Sequence, residues 1–361
     1  MSAPCRTLCP AIPALAALLG LGAVPTASAD VIGEIVDEVS QANYVHYLED
    51  LLYTHEGDTR GLPPYDDDHD PARDNILAFF TDLGLDASLD PFEYSPFPWR
   101  DTYHNVVAVK EGVVNPDVIY VCGAHYDSVD QSPGADDNGS GVAGVMEAAR
   151  VLAPYDLEAT IIFIAFDREE QFMVGSQAWV SEHLGDDIQG ALCLDMIAYN
   201  ETGLNHLLTR SWYDGNNPFQ ETVNAAVNDY SGGLNAILSY GGYSDHWSFA
   251  QAGILECGLH EEDENPYYHE PEDNVDRPDY LDYDFAYMTT RGLVAALATV
   301  AGVVGTPGDV NGDGVVNTED LLALLAAWGS CPDPPEDCPA DFNGDDVVNT
   351  EDLLTLLANW G

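Results

Sequence analysis

The sequence predicts an α/β fold: a three-layer sandwich whose mostly parallel, mixed central sheet is flanked by helices, followed by a small all-α module. Three observations carry that expectation. Residues 118–124 (VIYVCGA), 160–166 (TIIFIAF) and 191–197 (ALCLDMI) are short, apolar and partly β-branched, as strands covered on both faces are. Segments with helical spacing, 39–54, 74–83 and GVAGVMEAARVL at 141–152, alternate with them, and such alternation builds a parallel sheet with helices on its faces. Finally, composition shifts near Thr306-Pro307-Gly308. GDVNGDGVVNTEDLLALLAAWG then starts at Gly308 and returns 32 residues later as ADFNGDDVVNTEDLLTLLANWG.

The 361 residues are 46% hydrophobic, enough for a sizeable core and against a disordered chain. Sixty-three acids against ten Lys and Arg give a net charge of −53. That surface repels phosphate backbones and anionic membranes, so a nucleic-acid partner is not expected. Residues 1–29 carry one base, Arg6, no acid, and an apolar run from 11 to 24 ending at the small-x-small pattern Ala27-Ser28-Ala29. This reads as an export signal, too short to span a bilayer. No later stretch reads as a transmembrane anchor. The expected parts are therefore a signal at 1–29, a main domain at 30–305 and the repeat module at 306–361, in a chain that works secreted or at the cell surface. Export permits disulfides. Cys331 and Cys338 flank an acidic, Pro-rich hairpin and read as a local pair, whereas Cys122, Cys193 and Cys257 read as core residues.

Parallel sheets place their sites at the carboxyl ends of strands. The first predicted strand runs into His125-Tyr126-Asp127, the second into Asp167-Arg168-Glu169-Glu170, and the third contains Asp195. A Gly-rich turn holds Asp136-Asp137-Asn138 before a helix, and a later loop holds Asn265, His269 and Asp273. Singly, these are ordinary caps and solvated corners. Gathered in one cleft, the carboxylates would repel one another unless cations were present, and a mixed His and carboxylate set suits zinc or a similar ion.

The ordered set GAHYDS, PGADDNGSG, AFDREE, LDMI and YYHEPED resembles the co-catalytic zinc aminopeptidases, metallopeptidase family 28, over residues 40–300. The resemblance implies two Zn2+ ions: His125 and Asp195 on one, Glu170 and His269 on the other, and Asp136 bridging both. It implies a cis bond between Asp136 and Asp137, with Asp137 not a ligand. Asp127 would orient His125. Glu169 would act as general base, taking a proton from a zinc-bound water so that the resulting hydroxide is the nucleophile, and returning that proton to the leaving amine. Arg168 stands where the family carries a small residue and reads either as paired with a nearby carboxylate or, more simply, as exposed. Tyr240 and Tyr243 compete for an oxyanion-assisting role, and His246 reads as structural.

In the repeats, Asp309, Asn311, Asp313, Asn317 and Asp320 occupy positions 1, 3, 5, 9 and 12 of a calcium loop, with the Val315 carbonyl at 7. The second copy supplies Asp341, Asn343, Asp345, Val347, Asn349 and Asp352, with Asp346 where a tight turn prefers Gly. Duplicated loop–helix units with Asp at position 12 resemble a type I dockerin, which implies bound Ca2+ and a cohesin-like or cell-surface docking partner. The expected function is a secreted di-zinc metallo-exopeptidase acting on peptide substrates at the N-terminus. Alternatives are a carboxypeptidase or dipeptidase with the same centre, or a catalytically silent scaffold-docked binding protein.

Overall fold

A computed structural model describes residues 29–52, 59–61, 69–94, 101–213, 215–305, 308–312, 315–332 and 338–361. The predicted signal up to residue 28, the boundary pair Thr306-Pro307 and the predicted ligand Asp313 lie outside the described residues. Among the described residues the chain forms two compact units, with the second lying beyond Gly305.

The main unit opens with α1 (Ala29–Asp37) and α2 (Gln41–His46), the latter capped by the Ser40 hydroxyl accepting from Asn43 N and continuing as a π-helical turn, Tyr47–Leu52. Next come α3 (His69–Asp82), β1 (Asp86–Tyr94), β2 (Asp101–Lys110) and β3 (Asn115–His125). A kinked turn, Ala135–Ser140, leads into α4 (Gly141–Leu152). There follow β4 (Ala159–Phe166), α5 (Val174–Glu182), β5 (Asp187–Leu194), β6 (His206–Ser211), α6 (Pro218–Tyr230), β7 (Asn235–Tyr240), α7 (His246–Gln251), β8 (Glu256–Glu261) and α8 (Tyr283–Ala301).

Eight strands form one mixed sheet in the order β1-β2-β4-β3-β5-β8-β6-β7. The central strands β4, β3, β5 and β8 run parallel to one another, while β1–β2, β2–β4 and β8–β6 are antiparallel. Strand alternation sorts the core. Cys122, Ile161, Phe163 and Leu192 join the larger apolar layer with α4 and α8, and Val121, Ile162, Ile164 and Cys193 join a smaller one with Trp179 of α5 and Phe249 of α7. Cys122, Cys193 and Cys257 are free and buried. The predicted strand 191–197 stops at Leu194, because Met196 takes φ 57°, a left-handed conformation that ends an extended run. Asp195 is therefore the first residue beyond the sheet.

Glu256 is fully buried where β8 begins. Its Oε1 accepts from Ser211 Oγ and Trp212 N at 2.8 Å each, and Oε2 has no partner. Burial pushes this carboxyl up to about 7. A raised folded-state value means stability that is full below the unfolded value of 4.5 and is lost as pH rises through about 7. Glu256→Gln is expected to raise the melting temperature more at pH 8 than at pH 5. An equal shift in thermal melts at both pH values would refute this.

The second unit holds α9 (Thr318–Ala326), β9 (Gly329–Ser330), β10 (Val347–Val348) and α10 (Thr350–Ala358), with β9 and β10 antiparallel. Val316, Leu324, Ala340, Val348 and Leu356 form its small core. Cys331 and Cys338 are joined in a disulfide. Among the described residues no helix is long and apolar enough to cross a membrane.

Candidate metal centre

β3 delivers His125 to the carboxyl edge of the sheet, fully buried. Its Nδ1 lies 3.1 Å from the Asp127 carbonyl and 3.4 Å from Asp127 Oδ1, which fixes the ring and leaves Nε2 facing the cleft. The same Asp127 carboxylate accepts from Glu169 N through Oδ1 at 3.1 Å and from Glu170 N through Oδ2 at 3.3 Å. One buried carboxylate thus orients both the imidazole after β3 and the Glu pair after β4, which accounts for its place two residues beyond His125.

The aspartate turn differs from the expectation. Gly134 adopts φ 73°, and a Cβ there would stand 2.4 Å from the Asp137 carbonyl, so only glycine permits the bend. Asp273 then clamps the turn, accepting from Asp136 N at 2.7 Å and from Asp137 N at 3.2 Å. This clamp turns the two side chains apart. Asp136 points inward, where Oδ1 accepts from Ala198 N and Oδ2 from Asn265 Nδ2. Asp137 points into the cleft, with Oδ1 3.4 Å from His125 Nε2 and Oδ2 3.2 Å from His269 Nε2. The bridging position assigned to Asp136 is therefore occupied by Asp137, and the cis bond joins Asp137 to Asn138 rather than Asp136 to Asp137.

Two donor groups share that carboxylate. His125, Asp137 and Asp195 converge in one, and Asp137, Glu170 and His269 in the other. Asp195 Oδ1 stands 3.6 Å from His125 Nε2, and Glu170 Oε2 stands 3.1 Å from His269 Nε2. His125 Nε2, Asp195 Oδ1, Glu170 Oε1 and His269 Nε2 are buried without a hydrogen-bond partner. Orphaned polar atoms aimed at one space, of this His and carboxylate chemistry, fit a pair of divalent cations. Burial, then the Asp137 charge, pushes the Glu170 carboxyl up to about 8. Burial raises the Asp137 carboxyl too, but its two histidine partners overcome that and hold it well below the usual range. Glu169 stands beside both groups, its Oε2 3.9 Å from His125 Nε2, and burial drives its carboxyl well above the ordinary value.

Arg168 is buried rather than exposed. It reaches Asp167 at 3.2 Å, lies 4.2 Å over the Tyr103 ring and meets His69, whose Nε2 is 2.9 Å from Asp167 Oδ1. His246 packs on the Gly258 backbone and binds the Gly241 carbonyl, outside both donor groups. Tyr243 lines the cleft, and Tyr240 does not. Sequence reasoning missed Asp137 and Asp273. Adjacent aspartates give no cue to which faces the cleft, whereas Asp273, four residues after His269, was visible but carried no role.

In the repeat unit, the position-12 aspartates are buried. Asp320 accepts from Val310 N, Asn311 N and Asn317 N, and Asp352 from Phe342 N and Asn349 N, which ties each loop to its helix. Asn317 and Asn349 cap the helices. In the second loop, Asp341 accepts from Gly344, Asp345 and Asp346 N. Asp346 sits at φ 64°, a conformation that costs a side-chain-bearing residue about 1–2 kcal/mol. Asp346→Gly is expected to raise the unit's calorimetric melting temperature, and an unchanged or lowered value would refute the strain.

Comparison with known proteins places both parts of the chain in families. The model of peptidase family M28 matches residues 105–292, and that of the dockerin type I domain matches 307–359. Aminopeptidase YwaD of Bacillus subtilis (strain 168) is 34% identical over 188 residues, covering 49% of this chain and 41% of YwaD. A probable zinc metalloprotease of Pyrenophora teres f. teres is 26% identical over 86% of this chain and 80% of its own. Among solved structures, an aminopeptidase from Aneurinibacillus sp. strain AM-1 shares the fold at a TM-score of 0.65 and 17% identity, over 76% of this chain and 97% of that one. BSAP, a zinc aminopeptidase from Bacillus subtilis, matches at 0.51 and 31% identity over 56% and 51%. This chain thus spans about two-fifths of YwaD and half of BSAP. With the family model covering more than half its length, the chain belongs to peptidase family M28 and carries a type I dockerin domain behind the peptidase domain.

Proposed function

We propose that this chain is a secreted di-zinc exopeptidase that removes N-terminal residues from peptides, with domains at 30–305 and 306–361 after a cleaved signal at 1–29. The observation that carries the reading is the Asp137 carboxylate standing between His125 and His269, each with its own second carboxylate. Asp195 and His125 would hold one zinc, Glu170 and His269 the other, with Asp137 shared. The ions would supply Lewis acidity, making a water acidic and stabilising the oxyanion of the attacked carbonyl. The chain's own groups do the rest. Glu169, whose carboxyl burial raises above the ordinary value, takes a proton from the water and delivers it to the departing amine. Asp127 holds the backbone of Glu169 and the ring of His125, so that base and ligand keep one geometry. Asp273 keeps Asp137 turned toward the cleft.

The calcium loops and the dockerin match support docking of the enzyme to a cohesin-like partner. Leu322, Leu325 and Trp328 of one repeat and Leu354, Leu357 and Trp360 of the other are exposed at matching positions, a duplicated apolar face. The reading is tested on purified, zinc-loaded chain with leucine p-nitroanilide and its N-acetyl derivative. Hydrolysis that disappears on acetylation is expected, and equal turnover of both would sink the aminopeptidase reading.

A further inference from the structure

The chain's ten basic residues are outnumbered six to one by acids, and the arginines of the main unit are mostly engaged. Arg73 pairs with Asp70 and Asp74, Arg150 with Glu147, Arg168 with Asp167, and Arg291 with Asp37. Arg277 lies over Tyr267. Arg210 differs: among the described residues no side-chain hydrogen bond, ion pair or aromatic face meets its guanidinium. It is half-buried, and a partly desolvated cation without a partner is costly.

Its position gives that cost a use. Arg210 lies near the end of β6 and lines a cleft of about 160 Å3 together with Asp137, Glu169, Glu170 and Asp195. It also lines the wider cleft of about 440 Å3, so Arg210 is shared by the two. One glycine clears its place: Gly242, at φ 85°, would put a Cβ only 3.1 Å from Arg210 Cδ and 3.3 Å from Nη1. The neighbouring His246 is held neutral by burial, at about 4, and adds no competing charge. Asp195 and Glu261 attract the guanidinium from beyond ion-pair distance, and Glu262, Asp263 and Glu264 line the outer cleft. Arg210 is the one Arg or Lys among the described residues that line either cleft, and its planar fork accepts a carboxylate in bidentate fashion.

We infer that Arg210 is a specificity-determining residue that binds a carboxylate of the substrate while the scissile bond lies beside Glu169. This rests on the exopeptidase reading above. The carboxylate has two possible sources: the side chain of an N-terminal Glu or Asp, or the free α-carboxylate of a dipeptide.

The zinc-loaded full chain is assayed with glutamyl against glutaminyl p-nitroanilide, and with the dipeptide Leu-Gly against Leu-Gly amide. The wild type is expected to favour the carboxylate member of one pair, and that pair identifies the source. Arg210→Met, which keeps the apolar stem, should lower that kcat/KM ratio about 10- to 100-fold, with Arg210→Lys in between. A ratio near one in both pairs, or one unmoved by Arg210→Met, overturns the inference while leaving the aminopeptidase reading intact. If neither leucine p-nitroanilide nor any of these substrates is cleaved, the exopeptidase reading fails, and calorimetric titration with L-glutamate, L-glutamine and Leu-Gly still decides Arg210. Tighter binding of L-glutamate or of Leu-Gly that Arg210→Met abolishes supports it, and binding indifferent to the variant refutes it.

Discussion

Asp137→Asn is expected to strip the centre of at least one of the two zinc ions proposed for it, while Asp136→Asn keeps both. The two residues are neighbours with identical side chains, so composition and local charge cannot explain a difference. Orientation does. Asp137 presents Oδ1 to His125 and Oδ2 to His269, and an amide in its place offers only one acceptor oxygen and no charge. Asp136 gives its oxygens to Ala198 N and to Asn265 Nδ2. An asparagine there can keep one of those acceptances, so the change should loosen the turn by the amount typical of a supporting contact, about 10–100-fold in metal affinity or activity at most. Zinc content after gel filtration, measured by inductively coupled plasma mass spectrometry, separates the two variants. Full occupancy in Asp137→Asn together with loss in Asp136→Asn would restore the bridge to Asp136.

That contrast marks where the sequence stops being readable. The apolar runs at 118–124 and 160–166 are buried strands because their hydrophobicity leaves no solvated face, and period and composition suffice to see it. His125, Glu169 and Glu170 follow from where such strands end. The choice between Asp136 and Asp137 depends on Gly134 in a left-handed conformation and on Asp273, which reaches back across more than 130 residues to hold two backbone amides. Neither leaves a periodic signal. Arg168 misled for a related reason. A base in an acidic chain reads as solvated, but Asp167, His69 and the Tyr103 ring, drawn from three separate elements, enclose it. The left-handed Met196, which ends β5 and frees Asp195 to turn into the cleft, is equally a product of packing.

Glu169→Gln is expected to retain both zinc ions and lose about 10²–10⁴-fold in kcat, the range that a positioned acid–base group contributes. Glu169 belongs to neither donor group, so its removal leaves Asp195, His125, Asp137, Glu170 and His269 in place. The Asp127 bond to Glu169 runs to the backbone amide, so the loop also survives the change of side chain. What disappears is a carboxyl that burial has raised well above the ordinary value. Glutamine can hold the water by a hydrogen bond but can take no proton from it. KM should therefore move much less than kcat, since ground-state contacts with the peptide remain. Glu170→Ala is the matched control: it deletes a member of the His269 group and should lose metal along with rate. If Glu169→Gln turned over leucine p-nitroanilide at a near-normal rate with zinc retained, proton transfer would have to be assigned elsewhere, and Asp245, buried with both carboxylate oxygens unpartnered near this cluster, would be the next residue to substitute.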